Sequence, residues 1–169
     1  MDWYAIFVET GKEEYFQKWL RFYFPESTLH SIVPKRILRE RKQGKSYQIV
    51  RTFFPGYVLV QTDMDISIYL KVKSIPKFIR ILGDGIYYSK IKENEMLPIL
   101  KLLGNNDVLD FSTIYMENSQ VIVKSGPLQG MEGIICKVDK RKSRAKILLN
   151  FLNSEKIIDV AIEVLEKVN

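Results

Sequence analysis

The stretch Phe53-Phe54-Pro55-Gly56-Tyr57-Val58-Leu59-Val60-Gln61 constrains the fold more than any other. Tyr57 to Gln61 is dominated by aromatic and β-branched residues and carries no charge, the pattern of a buried strand. Pro55-Gly56 places a tight turn directly before it. Phe53, Phe54 and Tyr57 therefore stand at a strand entrance. Aromatic side chains there have two possible uses: to cap the core or to face a partner.

Other elements can be placed around this strand. Trp3 to Val8 is a short apolar run with the character of a central strand. Thr10 followed by Glu13 has the spacing of a capping box, so a helix is expected from that point. Phe16, Trp19, Leu20 and Tyr23 recur at helical spacing, and Pro25 ends the run. Leu29 to Val33 is a second strand, with His30 in it as a structural residue. Asp63 and Asp65 precede a short helix from Ile66 to about Lys73 and are read as its caps. Phe78 to Leu82 is a further strand, and Gly83-Asp84-Gly85 is expected to turn it back into Ile86-Tyr87-Tyr88. A last helix reaches Leu103 with Met96, Ile99, Leu100 and Leu103 on one face. Pro98 lies inside it, so it either starts near Asn94 or is kinked.

Charge bounds the choice of partner. The 169 residues include 26 Lys and Arg against 20 Asp and Glu, a net charge of +6. The excess is concentrated. From Lys35 to Arg51 the bases are Lys35, Arg36, Arg39, Arg41, Lys42, Lys45 and Arg51, and the only acid is Glu40. Gln43-Gly44 at the centre is a turn signal, so the segment is expected to be a long exposed hairpin or loop. A solvated surface mixes its charges; this one does not, which points to phosphate contacts. Tyr47 adds a possible stacking surface. A second basic turn holds Lys140, Arg141, Lys142, Arg144 and Lys146, with Asp139 as its acid.

Other classes find little support. A single cysteine, Cys136, and a single histidine, His30, exclude an internal disulfide and the usual zinc constellations. Neither a phosphate-binding glycine loop nor a nucleophile–histidine arrangement is present, so an enzyme is not expected and no cofactor or metal is implied. The N-terminus lacks the basic and apolar regions of a signal peptide, and no apolar run is long enough to span a bilayer. A cytoplasmic protein, most simply a monomer, is the expectation.

After Gly104 the pattern changes. Residues 105–116 show no sustained period and read as a linker, though Val108, Leu109, Phe111, Ile114 and Tyr115 make it sticky enough to dock on a neighbour. Beyond it, Gln120–Val123, Gly133–Val138, Ala145–Phe151 and Ile157–Ile162 are short strands separated by regular turns, the signature of a miniature barrel. Cys136 is expected to be inert core. The tail from Ser154 also fits a helical stripe ending at Val168, but its β-branched residues favour a strand followed by a terminal helical turn. The fold class is thus α+β. An N-terminal α/β sandwich (residues 1–104), with a mixed or antiparallel sheet and flanking helices, is joined by a linker (105–116) to a small β-barrel (117–169).

Both units carry motifs of one family. Trp3-Tyr4, the stretch from Phe53 to Gln61, and Ser125-Gly126-Pro127-Leu128-Gln129-Gly130-Met131-Glu132-Gly133 together resemble the NusG family of bacterial transcription factors. The first unit is similar to its NGN domain and the second to its SH3-like KOW domain. The resemblance implies binding to the clamp helices of RNA polymerase through an apolar patch and suppression of pausing. The matching residues are Trp3, Tyr4, Phe53, Phe54, Pro55 and Tyr57, with Phe54 and Tyr57 expected to be exposed. It further implies that the KOW unit contacts ribosomal protein S10 or termination factor Rho, with Phe151 at the aromatic contact position. General family members carry a Gly-Arg-Glu-Thr-Pro-like turn after that aromatic. This chain has Leu152-Asn153-Ser154-Glu155-Lys156, which weakens the case for S10 and Rho and points to a specialised paralogue. With its basic surfaces, the chain resembles the LoaP antiterminators, which recognise a leader RNA hairpin. The expected nucleic-acid contacts are the seven hairpin bases together with Lys140, Arg141, Lys142 and Arg144. The alternatives are a general elongation factor coupled to the ribosome or Rho, and a ribosomal KOW protein bound to rRNA.

Overall fold

The computed structural model describes residues 1–83 and 88–166. The turn expected at Gly83-Asp84-Gly85 and the end of the C-terminal stripe at Val168 lie partly or wholly outside these residues. In chain order the first elements are β1 (Asp2–Val8), α1 (Glu13–Tyr23), β2 (Leu29–Ile32), β3 (Lys35–Lys42), β4 (Lys45–Thr52) and β5 (Tyr57–Thr62). Next come α2 (Ile66–Lys73), β6 (Phe78–Ile81), α3 (Glu93–Leu103), β7 (Val108–Leu109) and β8 (Ser112–Glu117). The chain closes with β9 (Gln120–Ser125), a 3-10 turn (Glu132–Ile134), β10 (Ile135–Asp139), β11 (Arg144–Phe151) and β12 (Ser154–Val164). The α+β class read from the sequence is the one observed.

Two compact units emerge, and neither is contiguous in sequence. The first comprises Met1–Pro34 and Phe54–Met96; the second comprises Lys35–Phe53 and Leu97–Asn169. This differs from the expected division into 1–104, 105–116 and 117–169, since the basic hairpin groups with the C-terminal strands.

In the first unit, four antiparallel strands are ordered β2-β5-β1-β6. A strand's side chains alternate between faces. One face of β1 therefore presents Tyr4, Ile6 and Val8, which join Val58 and Val60 of β5, Phe16 and Leu20 of α1, and Val72 and Ile75 in one core. Burying each large apolar side chain contributes about 1.5–3 kcal/mol. The opposite face presents Trp3, Ala5 and Phe7, opposed in register by Gln61, Leu59 and Tyr57.

Helix ends follow local chemistry in one case and not in the other. Asp65 caps α2 as expected, its Oδ1 accepting from the Ile68 N–H at 2.7 Å. The Thr10–Glu13 capping box does not form: α1 is preceded by Lys12 with no side-chain cap. Glu13 is the first helical residue, and its carboxylate is used by a distant segment. α3 starts at Glu93, one residue from the expected Asn94, and Pro98 is its sixth residue.

The second unit holds a five-stranded sheet, β10-β11-β12-β8-β9, and a three-stranded sheet, β4-β3-β7. The segment read as a linker carries two strands. β7 pairs parallel with Lys35 and Arg36 of β3, and β8 pairs parallel with β12. A two-residue strand is too short to show a period, which is why the sequence concealed it. The Gly126 turn before β10 has no alternative residue: φ is +98°, and a Cβ there would lie 2.6 Å from the Phe111 carbonyl oxygen. The tail is strand through Val164, in line with its β-branched content.

Candidate functional site

The Pro-Gly turn is pinned to its own unit from two sides. The Gly56 N–H donates to Glu13 Oε1 at 2.6 Å, and the Gly56 carbonyl accepts from the Val8 N–H at 2.8 Å. The Tyr57 N–H closes the turn on the Phe54 carbonyl at 3.1 Å. Gly56 sits at φ +86°, with Phe7 Cε2 only 2.8 Å from where a Cβ would be. Backbone and ring are therefore in direct contact.

This pinning decides the fate of the aromatics. Phe54, expected to be exposed, is only 5% exposed, and Phe53 is 4% exposed. A turn held down by Glu13 and Val8 folds its apolar flank away from water rather than projecting it. Tyr4 is also buried, because its position on β1 places it on the core face. Tyr57 and Trp3 are half-buried and Pro55 is exposed. Of the residues expected in the apolar patch, those left at least partly accessible are Trp3, Pro55 and Tyr57. Phe7 joins them, half-buried, with its ring centroid 5.3 Å from that of Tyr57 and the Arg80 guanidinium 5.9 Å from its centroid. Phe7 was missed in the sequence, although two-residue alternation from Trp3 marks it.

The second surface is cationic and belongs to the second unit. β3 and β4 form an antiparallel hairpin in register from Lys35↔Thr52 to Lys42↔Lys45. Its two-residue loop has Gln43 at φ 52° and Gly44 at φ 74°, the paired positive angles that suit the twist of a tight hairpin. Arg41, Lys42, Lys45 and Arg51 are exposed and form no ion pair among the described residues. The others are engaged in different ways. The Arg39 guanidinium lies 4.9 Å from the Phe111 centroid, and Arg36 lies 5.9 Å from that of Phe53 while donating to the Thr52 carbonyl at 3.2 Å. Burial pushes the Arg36 guanidinium below its usual pKa, Asp159 opposes this, and Arg144 and Arg51 add to it. The half-buried Lys35 donates its N–H to the Asp107 carbonyl at 2.8 Å.

The turn from β10 to β11 supplies the rest. Asp139 Oδ1 accepts from the Lys142 N–H at 3.0 Å, which orders the loop and leaves Lys140, Arg141 and Lys142 exposed. Arg39, Glu40, Arg41 and Ser46 of the hairpin line one cleft together with Arg141, Lys142, Ser143 and Arg144. Arg144 is held between two carboxylates, 3.7 Å from Glu40 and 3.7 Å from Asp159. Lys146 donates to Asp159 at 2.8 Å. Burial raises the Asp159 carboxyl, but the Lys146 hydrogen bond and the charges of Lys146, Arg144 and Arg36 outweigh it and hold its pKa below the usual carboxylate value.

Two further residues are placed differently from expectation. Phe151, the expected partner contact, is 0% exposed. It continues the inward row Ala145, Ile147, Leu149 of β11, and the two-residue turn Leu152-Asn153, with φ of 53° and 60°, fixes that register. The exposed apolar residue nearby is Ile157, on the other face. Cys136 is exposed rather than core, because the ladder shifts register between Ile135 and Lys137 and turns its side chain outward. No helix among the described residues is long and apolar enough to cross a membrane.

Comparison with known proteins adds a relationship to this geometry. The family described as "Transcription termination factor nusG" matches residues 1–100. The Helicobacter pylori (strain J99) transcription termination/antitermination protein NusG is 25% identical over 175 residues, covering 99% of both chains. The protein of the same description from Haemophilus influenzae is 27% identical, covering 99% of this chain and 94% of its own. A solved structure described as "Domain interaction in Thermotoga maritima NusG" superimposes with a TM-score of 0.57 at 21% identity, covering 95% of this chain and 93% of the other, and supports the fold.

Proposed function

The chain belongs to the NusG family, and from that premise we propose that it is a transcription elongation and antitermination factor. It docks on the clamp helices of RNA polymerase through the first unit and is delivered to chosen operons by a leader RNA hairpin held on the basic hairpin. The observation that carries the RNA part is the set of exposed hairpin cations, Arg41, Lys42, Lys45 and Arg51, none of which is neutralised by an acid among the described residues. Arg and Lys on a protruding edge also discourage strand pairing between molecules. That role needs scattered bases, however, and is not a reason for a second cationic turn to line the same cleft.

The polymerase part rests on family membership and on Trp3, Phe7, Pro55 and Tyr57, which offer rigid aromatic area of the kind that anchors interfaces. Phe53, Phe54 and Tyr4 are buried and take no direct part in this contact. Recruitment by RNA, as in the LoaP group, agrees with the turn Leu152-Asn153, which replaces the consensus of general members. With Phe151 buried, contact with S10 or Rho through that ring has no accessible surface in this structure.

The test is recovery of the protein from cells with its bound RNA sequenced and polymerase subunits probed. Polymerase together with enrichment of a few leader RNAs is the expected result. Polymerase without RNA enrichment would favour a general elongation factor, and ribosomes without polymerase would overturn the proposal.

A further inference from the structure

The cleft between the basic hairpin and the β10–β11 turn has an asymmetry that the charge count alone does not explain. Its lining holds five bases, Arg39, Arg41, Arg141, Lys142 and Arg144, and one acid, Glu40. That acid is the only one on the hairpin between Lys35 and Arg51. Its carboxylate lies 3.7 Å from Arg144 Nη2, beyond hydrogen-bond length, so charge alone holds the pair. Arg144 is half-buried, Asp159 lies at the same 3.7 Å from its Nη1, and its Nε is buried without a hydrogen-bond partner. A guanidinium whose two Nη groups both lack an acceptor carboxylate within hydrogen-bond length, in a cleft lined mostly by bases, is a prepared receptor for an oxyanion.

We propose that this cleft is a cradle for the phosphodiester backbone of RNA, centred on Arg144, and that Glu40 is a built-in competitor for the phosphate. Binding exchanges the Glu40 carboxylate for a phosphate oxygen able to engage the guanidinium in two hydrogen bonds. Arg39 and Arg41 close the cradle from the hairpin, and Arg141 and Lys142 close it from the turn. Glu40 thereby sets a threshold: scattered weak anions do not displace it, whereas a backbone that also engages the hairpin tip does. The inference rests on the RNA reading above and adds to it a defined site and a residue that limits affinity.

The experiment uses the full-length protein and, as probe, a fluorescent RNA hairpin with an arbitrary stem of about 12 base pairs, since phosphate contacts carry no sequence information. Glu40→Gln is expected to tighten binding about three- to tenfold at low salt, the effect of removing one nearby negative charge at intermediate dielectric. The gain should shrink below about twofold near 0.5 M salt. Arg141→Glu with Lys142→Glu is expected to weaken binding more than about tenfold. Lys42→Glu with Lys45→Glu, at the hairpin tip outside the cleft, reports on the RNA face independently. If Glu40→Gln leaves affinity unchanged, or lowers it along with the melting temperature, the pair is a structural clamp and the cradle is overturned. If the Arg141/Lys142 change has no effect while the tip variant still weakens binding, the cradle is again overturned and the RNA face stands. If the unaltered protein does not bind the probe at any salt, the RNA reading itself fails.

Discussion

Replacing Glu13 tests whether the Pro-Gly turn is positioned by helix α1. Glu13 is 4% exposed, and its Oε1 accepts from the Gly56 N–H at 2.6 Å. Glu13→Ala removes a hydrogen bond of the charged kind, worth about 1.5–3 kcal/mol, and leaves a buried N–H without its acceptor. A loss of about 2–3 kcal/mol is therefore expected, a large share of the roughly 5–15 kcal/mol typical of a folded domain. Glu13→Gln keeps an acceptor oxygen at the same reach and should cost about 1 kcal/mol or less. Urea unfolding followed by tryptophan fluorescence reads both. With an ordinary m-value, the alanine variant should move the midpoint down by about 1–2 M and leave the slope unchanged. Gly56→Ala provides a cross-check, since it strains φ at +86° and drives a Cβ against the Phe7 ring. If Glu13→Ala falls within about 0.5 kcal/mol of the parent, the turn is held by other means and the account of why Phe54 is buried fails.

Three further outcomes are expected. RNA binding that neutralises about five phosphates should give a slope of log K against log salt near −4.5 for a duplex, and a flat response would remove phosphate contact from the picture. Phe151→Ala should destabilise the second unit by about 3–5 kcal/mol in thermal unfolding, because it empties a fully buried ring site; a surface contact residue would cost far less. Asp159 has its folded pKa below the unfolded value of 3.8, so its contribution is fully present above that value and is lost as pH falls through the lower, folded one. Asp159→Asn should therefore flatten the acid limb of a stability profile below about pH 4 while lowering stability at neutral pH.

What could be read in the sequence depended on how local the deciding interaction was. Gln43-Gly44 and Asp65 are solved within a few residues, so the hairpin and the α2 cap were legible. Glu13 has the right spacing for a local cap, but a carboxylate can equally serve a backbone N–H far along the chain, and only the fold shows that Gly56 claims it. The burial of Phe54 turns on the same contact. Phe151 was legible from the alternation Ala145, Ile147, Leu149, yet family likeness drew attention to its aromatic character instead. Cys136 has apolar neighbours and would face inward in a regular ladder; one register shift reverses it. The shared cleft could not be read at all, because Glu40 and Arg144 are brought together only by tertiary packing.

The interleaving of the two units has a consequence for biosynthesis. The hairpin strands end at Thr52, whereas β12, the strand that anchors Arg144 and carries Asp159, ends at Val164. At roughly 5–20 residues per second, about 5 to 20 seconds of translation separate them. Throughout that interval a cationic ribbon waits outside the ribosome for the strand that carries Asp159, among ribosomal and messenger RNA. Glu40, the lone carboxylate within that ribbon, tempers its charge in the meantime.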